Sequence, residues 1–239
     1  MARRRFFVDA VRAGVAELRG DDARHLTRVL RAEPGRQYEI SDGQAVWLAE
    51  VTEARGDRVV FRALEPVAAA ELPVRVTLLA ALVKFDRFEC IIEKATELGV
   101  ERVLPVETAR SEKGLLEASR KRRERWERIA REAGQQSRRL RAPEILAAVR
   151  FEPALAEAAD YRYVLEEEAA PALLSRLPLT RTPGAQVSLL VGPEGGWTGE
   201  ERGLAAAAGW IPVSLGPLVL RAETAAAAAL AIVINAWCG

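Results

Sequence analysis

The run from Val74 to Val83 is apolar almost without interruption, and this restricts what the rest of the chain can build. A strand with one wet face alternates apolar and polar residues, whereas a strand apolar on both faces belongs in a sheet covered on both sides. Phe85, Phe88, Ile91, Ile92, Ala95 and Leu98 follow at helical spacing, which predicts a helix over Phe85–Leu98 with Gly99 as its stop. Further strands are expected at Arg102–Val106, Pro143–Val149, Tyr161–Leu165, Val187–Val191 and Pro212–Leu215. Thr198 with Glu201 three residues on forms a capping box for a helix running to Ala208 and closed by Gly209. Alternation of this kind predicts an α/β domain with a mostly parallel sheet over residues 74–239.

The first part of the chain has a different rhythm. Arg5–Val8, Gln37–Ser41, Ala45–Glu53 and Arg58–Leu64 read as short strands, with Asp42-Gly43 and Gly56-Asp57 as turns. One helix interrupts them: Asp21 or Asp22 caps it, Ala23, Leu26, Val29 and Leu30 form its apolar stripe, and Pro34-Gly35 ends it. A small β-barrel over residues 1–70, a proline-bracketed linker at 66–73 and the α/β domain account for a chain of 239 residues.

Composition narrows the function classes. The formal net charge is only +1, so affinity for nucleic acid has to come from local clusters. Cys90 and Cys238 have no metal-ligand companions, and with a single histidine, His25, no zinc set can be assembled; the expectation is no metal. A disulfide stays open. The N-terminus lacks the apolar run of a signal peptide, and Ala225–Ala236 is too short to span a bilayer. A cytoplasmic protein without membrane contact is expected.

Two glycine-bearing segments carry the chemistry, LLVGPEGGWTGEE and VSLGPLVLRAETAAAAAL. Each places an apolar strand directly before a tight turn, where ligands of open α/β sheets bind. Gly192, Gly195 and Gly196 remove side chains where a ligand or a second loop approaches closely, and Pro193 stiffens the turn. No Lys-Ser/Thr follows the glycines, so this is not a phosphate-cradling P-loop. The pattern reads as a nucleotide-type pocket made largely of backbone, with Glu194, Arg221 and Glu223 as its ionisable groups.

GPEGGWTGEE and LGPLVLRAETA resemble the two C-terminal signatures of the ribosomal-RNA uridine N3-methyltransferases of the SPOUT class. The resemblance continues upstream in LVKFDRFECIIEKATELGV, RVLPVETARSE and RWERIAREAGQQSRRLRAPEI, and so covers nearly all of residues 75–239. RRFFV and RHLTRVLRAEPGRQYEISDG resemble the family's PUA-like RNA-binding barrel. The resemblance implies a trefoil-knotted domain that binds S-adenosylmethionine and methylates N3 of a uridine in 16S rRNA of the small subunit, as an obligatory homodimer. Carried over by position, the cofactor residues are Leu190, Gly192, Pro193, Glu194 and Gly195 from the first turn. From the second they are Leu215, Gly216, Leu218, Leu220, Thr224 and Ala225. Arg221 is expected to stabilise charge on a uracil carbonyl, and Glu223 to orient the base or accept its proton. Three positions depart from the pattern: Leu218 stands where relatives usually carry arginine, Ala109 replaces an acidic residue, and Arg138 replaces a glycine. The alternatives are a related knotted enzyme acting on a ribose 2′-hydroxyl or another base, and a non-catalytic RNA-binding assembly factor.

Basic residues cluster twice. From Arg120 to Arg141 arginines dominate a stretch whose Trp126, Ile129 and Ala130 form a buried stripe, so the arginines point outward. Arg3, Arg4, Arg5, Arg24, Arg28 and Arg31 form the second cluster, with His25 within it; a lone histidine is more often a structural hydrogen-bonder than a catalyst. Together with Arg110, Arg138 and Arg139 these are the expected RNA-binding residues. The helix from Thr224 to Trp237 is apolar nearly all round, which burial against a second copy explains more easily than burial in one subunit.

Overall fold

The computed structural model describes residues 4–239, so Arg3 lies outside the described residues. The chain divides into two compact units. One comprises the residues up to Glu71 together with Gly134–Ala142, and the other Leu72–Ala133 with Pro143–Gly239.

The first unit begins with β1 (Arg5–Phe7), β2 (Val11–Arg12) and β3 (Val15–Arg19), followed by α1 (Gly20–Arg24). It continues with β4 (Gln37–Ser41), β5 (Val46–Arg55) and β6 (Arg58–Val67). The sheet order is β1-β4-β5-β6-β3-β2, antiparallel except for β1 on β4. Phe6, Leu18, Leu26, Ile40, Val51 and Phe61 fill its core. The hairpin β2–β3 escapes sequence reading because one of its turn residues is Ala13, at φ 48°, beside Gly14 at φ 76°. Both central positions of such a turn need positive φ, and alanine does not advertise it.

The expected helix through Leu30 is only partly formed. After α1 the backbone widens into a π turn, His25–Val29, with the Leu30 amide donating to the His25 carbonyl at 3.2 Å. The Thr27 hydroxyl reaches the carbonyls of Ala23 and Gly56, at 3.0 and 2.7 Å. The wider turn rotates Val29 off the apolar stripe, leaving it 65% exposed.

The segment Gly134–Ala142 is bound into this sheet. Arg5 is buried and donates to the Glu39 carboxylate at 3.1 and 2.8 Å, and to the carbonyl of Arg139 at 3.1 Å. It also donates to the carbonyl of Arg138, whose own guanidinium closes on Glu39. Arg5 is therefore a structural tie with no face for RNA. Arg138 occupies the left-handed region, at φ 59°, which accounts physically for a glycine preference at this position.

The second unit opens with β7 (Val74–Ala81), α2 (Phe85–Glu97) and β8 (Arg102–Glu107), then α3 (Leu115–Ser119) and α4 (Arg123–Gln136). After the excursion into the first unit come β9 (Glu144–Ile145), β10 (Val149–Arg150), α5 (Phe151–Ala154), β11 (Tyr161–Leu165) and α6 (Leu173–Arg176). β12 (Ala185–Val191), α7 (Gly199–Ala207), β13 (Ile211–Val213) and α8 (Ala222–Cys238) complete it. The sheet runs β10-β8-β7-β12-β11-β13, with β9 also on β8, and every pair is parallel. The strand expected over Pro143–Val149 is two short pieces, each paired to a different stretch of β8.

β7 and β12 lie side by side from Val74↔Ala185 to Ala80↔Val191, and both faces are covered. Leu78 and Leu189 enter the larger core with Phe88 and Ile91 of α2, Trp126 of α4 and Leu230 of α8. Leu79 and Leu190 enter the smaller one with Phe151, Trp197, Ala205 and Trp210. Each such leucine contributes about 1.5–3 kcal/mol by burial. On α8, in this single chain, Thr224, Ala231, Asn235 and Cys238 remain exposed. Both cysteines are free.

Candidate active site

Three adjacent strands, β12, β11 and β13, end at one cavity. β11 delivers Leu165, Glu166 and Glu167; β12 delivers Val191, Gly192, Pro193, Gly196 and Trp197. The loop after β13 adds Leu215, Gly216, Leu218 and Leu220, and the first turn of α8 adds Ala222 and Ala225. Its mixture of apolar wall with a few polar groups is that of a small-molecule site.

Local chemistry shapes each wall. A Cβ on Gly192 would sit 3.1 Å from the Trp197 ring, so the glycine lets the indole fold back over the turn. The Trp197 Nε1 donates to the Leu165 carbonyl at 2.8 Å and ties the end of β12 to the end of β11. Gly196, at φ 67°, closes the turn by donating to the Pro193 carbonyl at 2.9 Å. In the second turn Gly216 has φ 126°, and the Ser214 hydroxyl bridges its amide and carbonyl at 3.1 and 3.0 Å. Leu218 and Val219 stand on the rim, 77% and 75% exposed.

Glu166 is the electrostatically unusual group. Burial raises its pKa above the ordinary carboxylate value, and the Arg202 guanidinium, 3.0 Å away, opposes the rise. Glu166, Glu167 and Glu168 give this end of β11 an acidic edge beside an otherwise apolar wall.

Most of the residues expected from the glycine segments meet here: Gly192, Pro193, Leu215, Gly216, Leu218, Leu220 and Ala225 line the cavity. Leu190 does not; strand alternation turns it into the smaller core, and Val191 lines the wall instead. Glu194 and Gly195 sit on the far side of the same turn, in a second cavity with Lys84, Arg87 and Arg110. Thr224 is exposed on α8, outside the lining. Sequence reasoning passed over Glu166, Glu167 and Trp197. The usable signal was the Glu166–Glu168 run directly after an apolar strand.

Arg221 is the N-cap residue of α8, exposed and without a side-chain partner among the described residues. Glu223 lies one position along the helix from the cavity-lining Ala222, with its Oε2 buried and unpaired. Its charge, after burial itself, helps push the Cys90 thiol of α2 up. No ion pair joins Arg221 to Glu223 among the described residues.

The expected RNA-binding residues are dispersed. In the first unit Arg4 is exposed and donates to the His25 Nε2 at 3.0 Å. Arg24 pairs with Asp21 at 2.5 Å, while Arg28 and Arg31 are exposed. Arg139 is half-buried. Arg110, in the second unit, donates to the Gly195 carbonyl. The basic run of α4 is partly neutralised: Arg125 grips Glu89 at 2.6 and 2.7 Å, and Arg123 pairs with Glu127 at 2.9 Å. Among the described residues no cluster of three or more His, Cys, Asp or Glu side chains is placed to hold a metal ion. Among the described residues no helix is long and apolar enough to cross a membrane.

Known proteins resemble this chain in both sequence and fold. The RNA methyltransferase domain family matches residues 70–234, and the RNA methyltransferase PUA domain family matches residues 18–64. The ribosomal RNA small subunit methyltransferase E of Synechocystis is 40% identical over 223 residues, 87% of this chain and 68% of the relative. That of Bacillus subtilis is 31% identical over 248 residues, 96% of this chain and 95% of the relative. The crystal structure of the Neisseria gonorrhoeae enzyme of the same name, bound to S-adenosyl methionine, superposes with a TM-score of 0.88 at 29% identity, covering 98% of both chains. Two domain matches in the right order and full-length likeness in sequence and fold lead to one assignment: the chain belongs to the ribosomal RNA small subunit methyltransferase E family.

Proposed function

We propose that this protein methylates N3 of a uridine in 16S rRNA of the small ribosomal subunit, with S-adenosylmethionine as donor. The observation that carries the reading is the cavity at the ends of β11, β12 and β13, walled by both glycine segments.

The residues present fit the cofactor. Leu215, Leu218, Leu220 and Ala225 offer apolar contact to a flat purine, and the exposed backbone of the two turns offers donors and acceptors to its edge. Glu166 and Glu167 present negative charge, as suits a ligand that carries a sulfonium and an ammonium group. When bound, the cofactor supplies an electrophilic methyl group. The acceptor nitrogen is a poor nucleophile until its imide proton leaves, so the protein has to stabilise the anion or take the proton. Arg221, unpartnered at the start of α8, is the group available to stabilise charge on a uracil carbonyl. Glu223, with one carboxylate oxygen unpaired, is the candidate to orient the base or accept its proton.

The same reading takes the chain as a trefoil-knotted homodimer acting in the cytoplasm, with the 30S subunit as the form in which the RNA is met. The exposed small residues of α8 support pairing with a second copy. Arg4, Arg24, Arg28, Arg31 and Arg110 are the cations that support contact with RNA phosphates.

The test is methyl transfer from labelled S-adenosylmethionine to 30S subunits lacking the modification, followed by nucleoside analysis. Label in 3-methyluridine is expected. Label in a 2′-O-methylated nucleoside or another base would replace the proposed acceptor, and the absence of cofactor binding at millimolar concentration would remove the enzyme reading.

A further inference from the structure

The turn Gly192–Gly196 has a cavity on each side. On the side away from Glu166 lies a space lined by Leu82, Val83, Lys84, Arg87, Arg110, Glu112 and the outer face of Pro193–Gly195. It sits over the ends of β8, β7 and β12, as the first cavity sits over β12, β11 and β13, so the two are neighbours across one shared wall. Three cations reach it, from the loop after β7, from α2 and from the loop after β8. Lys84, the N-cap residue of α2, and Arg87 in its first turn both line this space, and Lys84 provides no side-chain cap to the helix.

Two carboxylates, Glu112 and Glu194, share this space with the three cations, and Glu194 is the one held in an ion pair. Glu194 forms an ion pair with Arg87, both partly exposed at 50% and 33%. Arg110 lies across Gly195, whose missing side chain makes room for it, and donates to the Gly195 carbonyl. A half-exposed carboxylate–guanidinium pair contributes little net stability, so a phosphate with more acceptor oxygens can displace the carboxylate. We propose that this second cavity takes one phosphodiester of the substrate RNA on Lys84, Arg87 and Arg110, and that the Glu194 carboxylate holds Arg87 until that phosphate replaces it. The inference rests on the RNA-methyltransferase reading and adds to it a place for the strand on the opposite side of the turn from the cofactor.

Filter binding of 30S subunits across a salt series tests it without requiring turnover. Arg87→Ala is expected to weaken binding about tenfold and to lower the steepness of the salt dependence by about one phosphate contact. Arg87→Lys keeps a charge and should fall between. Glu194→Gln frees Arg87 and is expected to tighten binding about three- to tenfold. Tightening by Glu194→Gln separates an internal stand-in for phosphate from a mere brace, whose loss would weaken binding as Arg87→Ala does. Unchanged affinity and salt slope in Arg87→Ala, or weaker binding in Glu194→Gln, would overturn the proposal. Should Arg87→Ala melt at low temperature, Arg87→Lys and Glu194→Gln decide alone. Calorimetry with S-adenosylmethionine on the wild type tests the parent reading separately, so failure of one is distinguishable from failure of the other.

Discussion

The Glu201 carboxylate accepts the backbone amide of Ala109 at 2.7 Å, although the two residues are 92 positions apart. The same carboxylate completes the cap of α7, accepting the Thr198 amide at 2.9 Å. One buried side chain thus fixes the loop after β8 to the turn after β12, the two pieces of backbone between which Arg110 meets Gly195. Glu201→Ala removes a capping box and leaves the Ala109 amide unpaired, at a combined cost of about 2–4 kcal/mol. A fall in Tm of roughly 5–15 °C is expected at this chain length. A thermal scan showing less than a degree of change would contradict this account of the carboxylate.

Gly192 tests the shape of the cofactor cavity. Alanine there has its Cβ 3.1 and 3.2 Å from two carbons of the Trp197 ring, which is fixed by its hydrogen bond to Leu165 and by packing on Phe151. The indole cannot retreat, so the turn must move, and the cavity wall moves with it. Gly192→Ala should weaken S-adenosylmethionine binding about tenfold or more, read by calorimetry, with a smaller effect on Tm.

How much of this was legible beforehand differs residue by residue. The apolar runs at Val74–Val83 and Val187–Val191 announce buried strands because both faces are covered, but the same property hides which face each residue takes. For that reason the sequence points to Leu190 as a pocket residue, although Val191 is the one that lines the wall. Thr198 with Glu201 could be read as a cap from spacing alone, whereas the bond from Glu201 to Ala109 is set by tertiary structure and leaves no local mark. The excursion of Gly134–Ala142 into the first unit depends on Arg5, Glu39 and Ser41, all far away in sequence. An arginine-rich segment read in isolation resembles a solvated surface.

That segment makes its own prediction. Glu39 is buried between two arginines, with Arg5 enclosed and Arg138 42% exposed along its side chain. Arg5→Ala leaves Glu39 with one arginine partner and removes the Arg5 donor from the Arg138 and Arg139 carbonyls, at a cost of about 3–5 kcal/mol. Arg138→Gly also removes a partner, but it relieves a left-handed non-glycine residue, worth about 1–2 kcal/mol. Its net effect should stay within about 1 kcal/mol of zero. Denaturant unfolding of the two variants checks the contrast, and equal destabilisation would refute it.

Glu166 predicts a pH dependence. Its folded pKa is raised above the ordinary value of 4.5, so the folded state holds the proton more tightly than the unfolded state. Stability from this group is therefore fully present at low pH and declines as pH rises from about 4.5 through the raised folded value. Glu166→Gln removes that decline. The difference in Tm, variant minus wild type, should increase between pH 4 and pH 7. A difference that decreases over that interval would show that Arg202, and not burial, dominates the site.

The last prediction concerns Arg221. Its position at the head of α8 places it next to Leu220 and Ala222, which line the cofactor cavity, yet its guanidinium has no partner among the described residues. A structural arginine at such a position would cap or pair; this one is held ready by its backbone alone. If its task is to meet negative charge developing on the base, Arg221→Ala should lower kcat about 100- to 1000-fold, the range for loss of one charge-stabilising donor. Affinity for S-adenosylmethionine should change less than threefold, because no cavity-lining atom is removed. Arg221→Lys retains the charge without the fork and should recover part of the rate. A variant that loses cofactor affinity and rate together would place Arg221 in the binding wall, and Glu223, with its unpaired buried oxygen, would become the group to test for the chemistry.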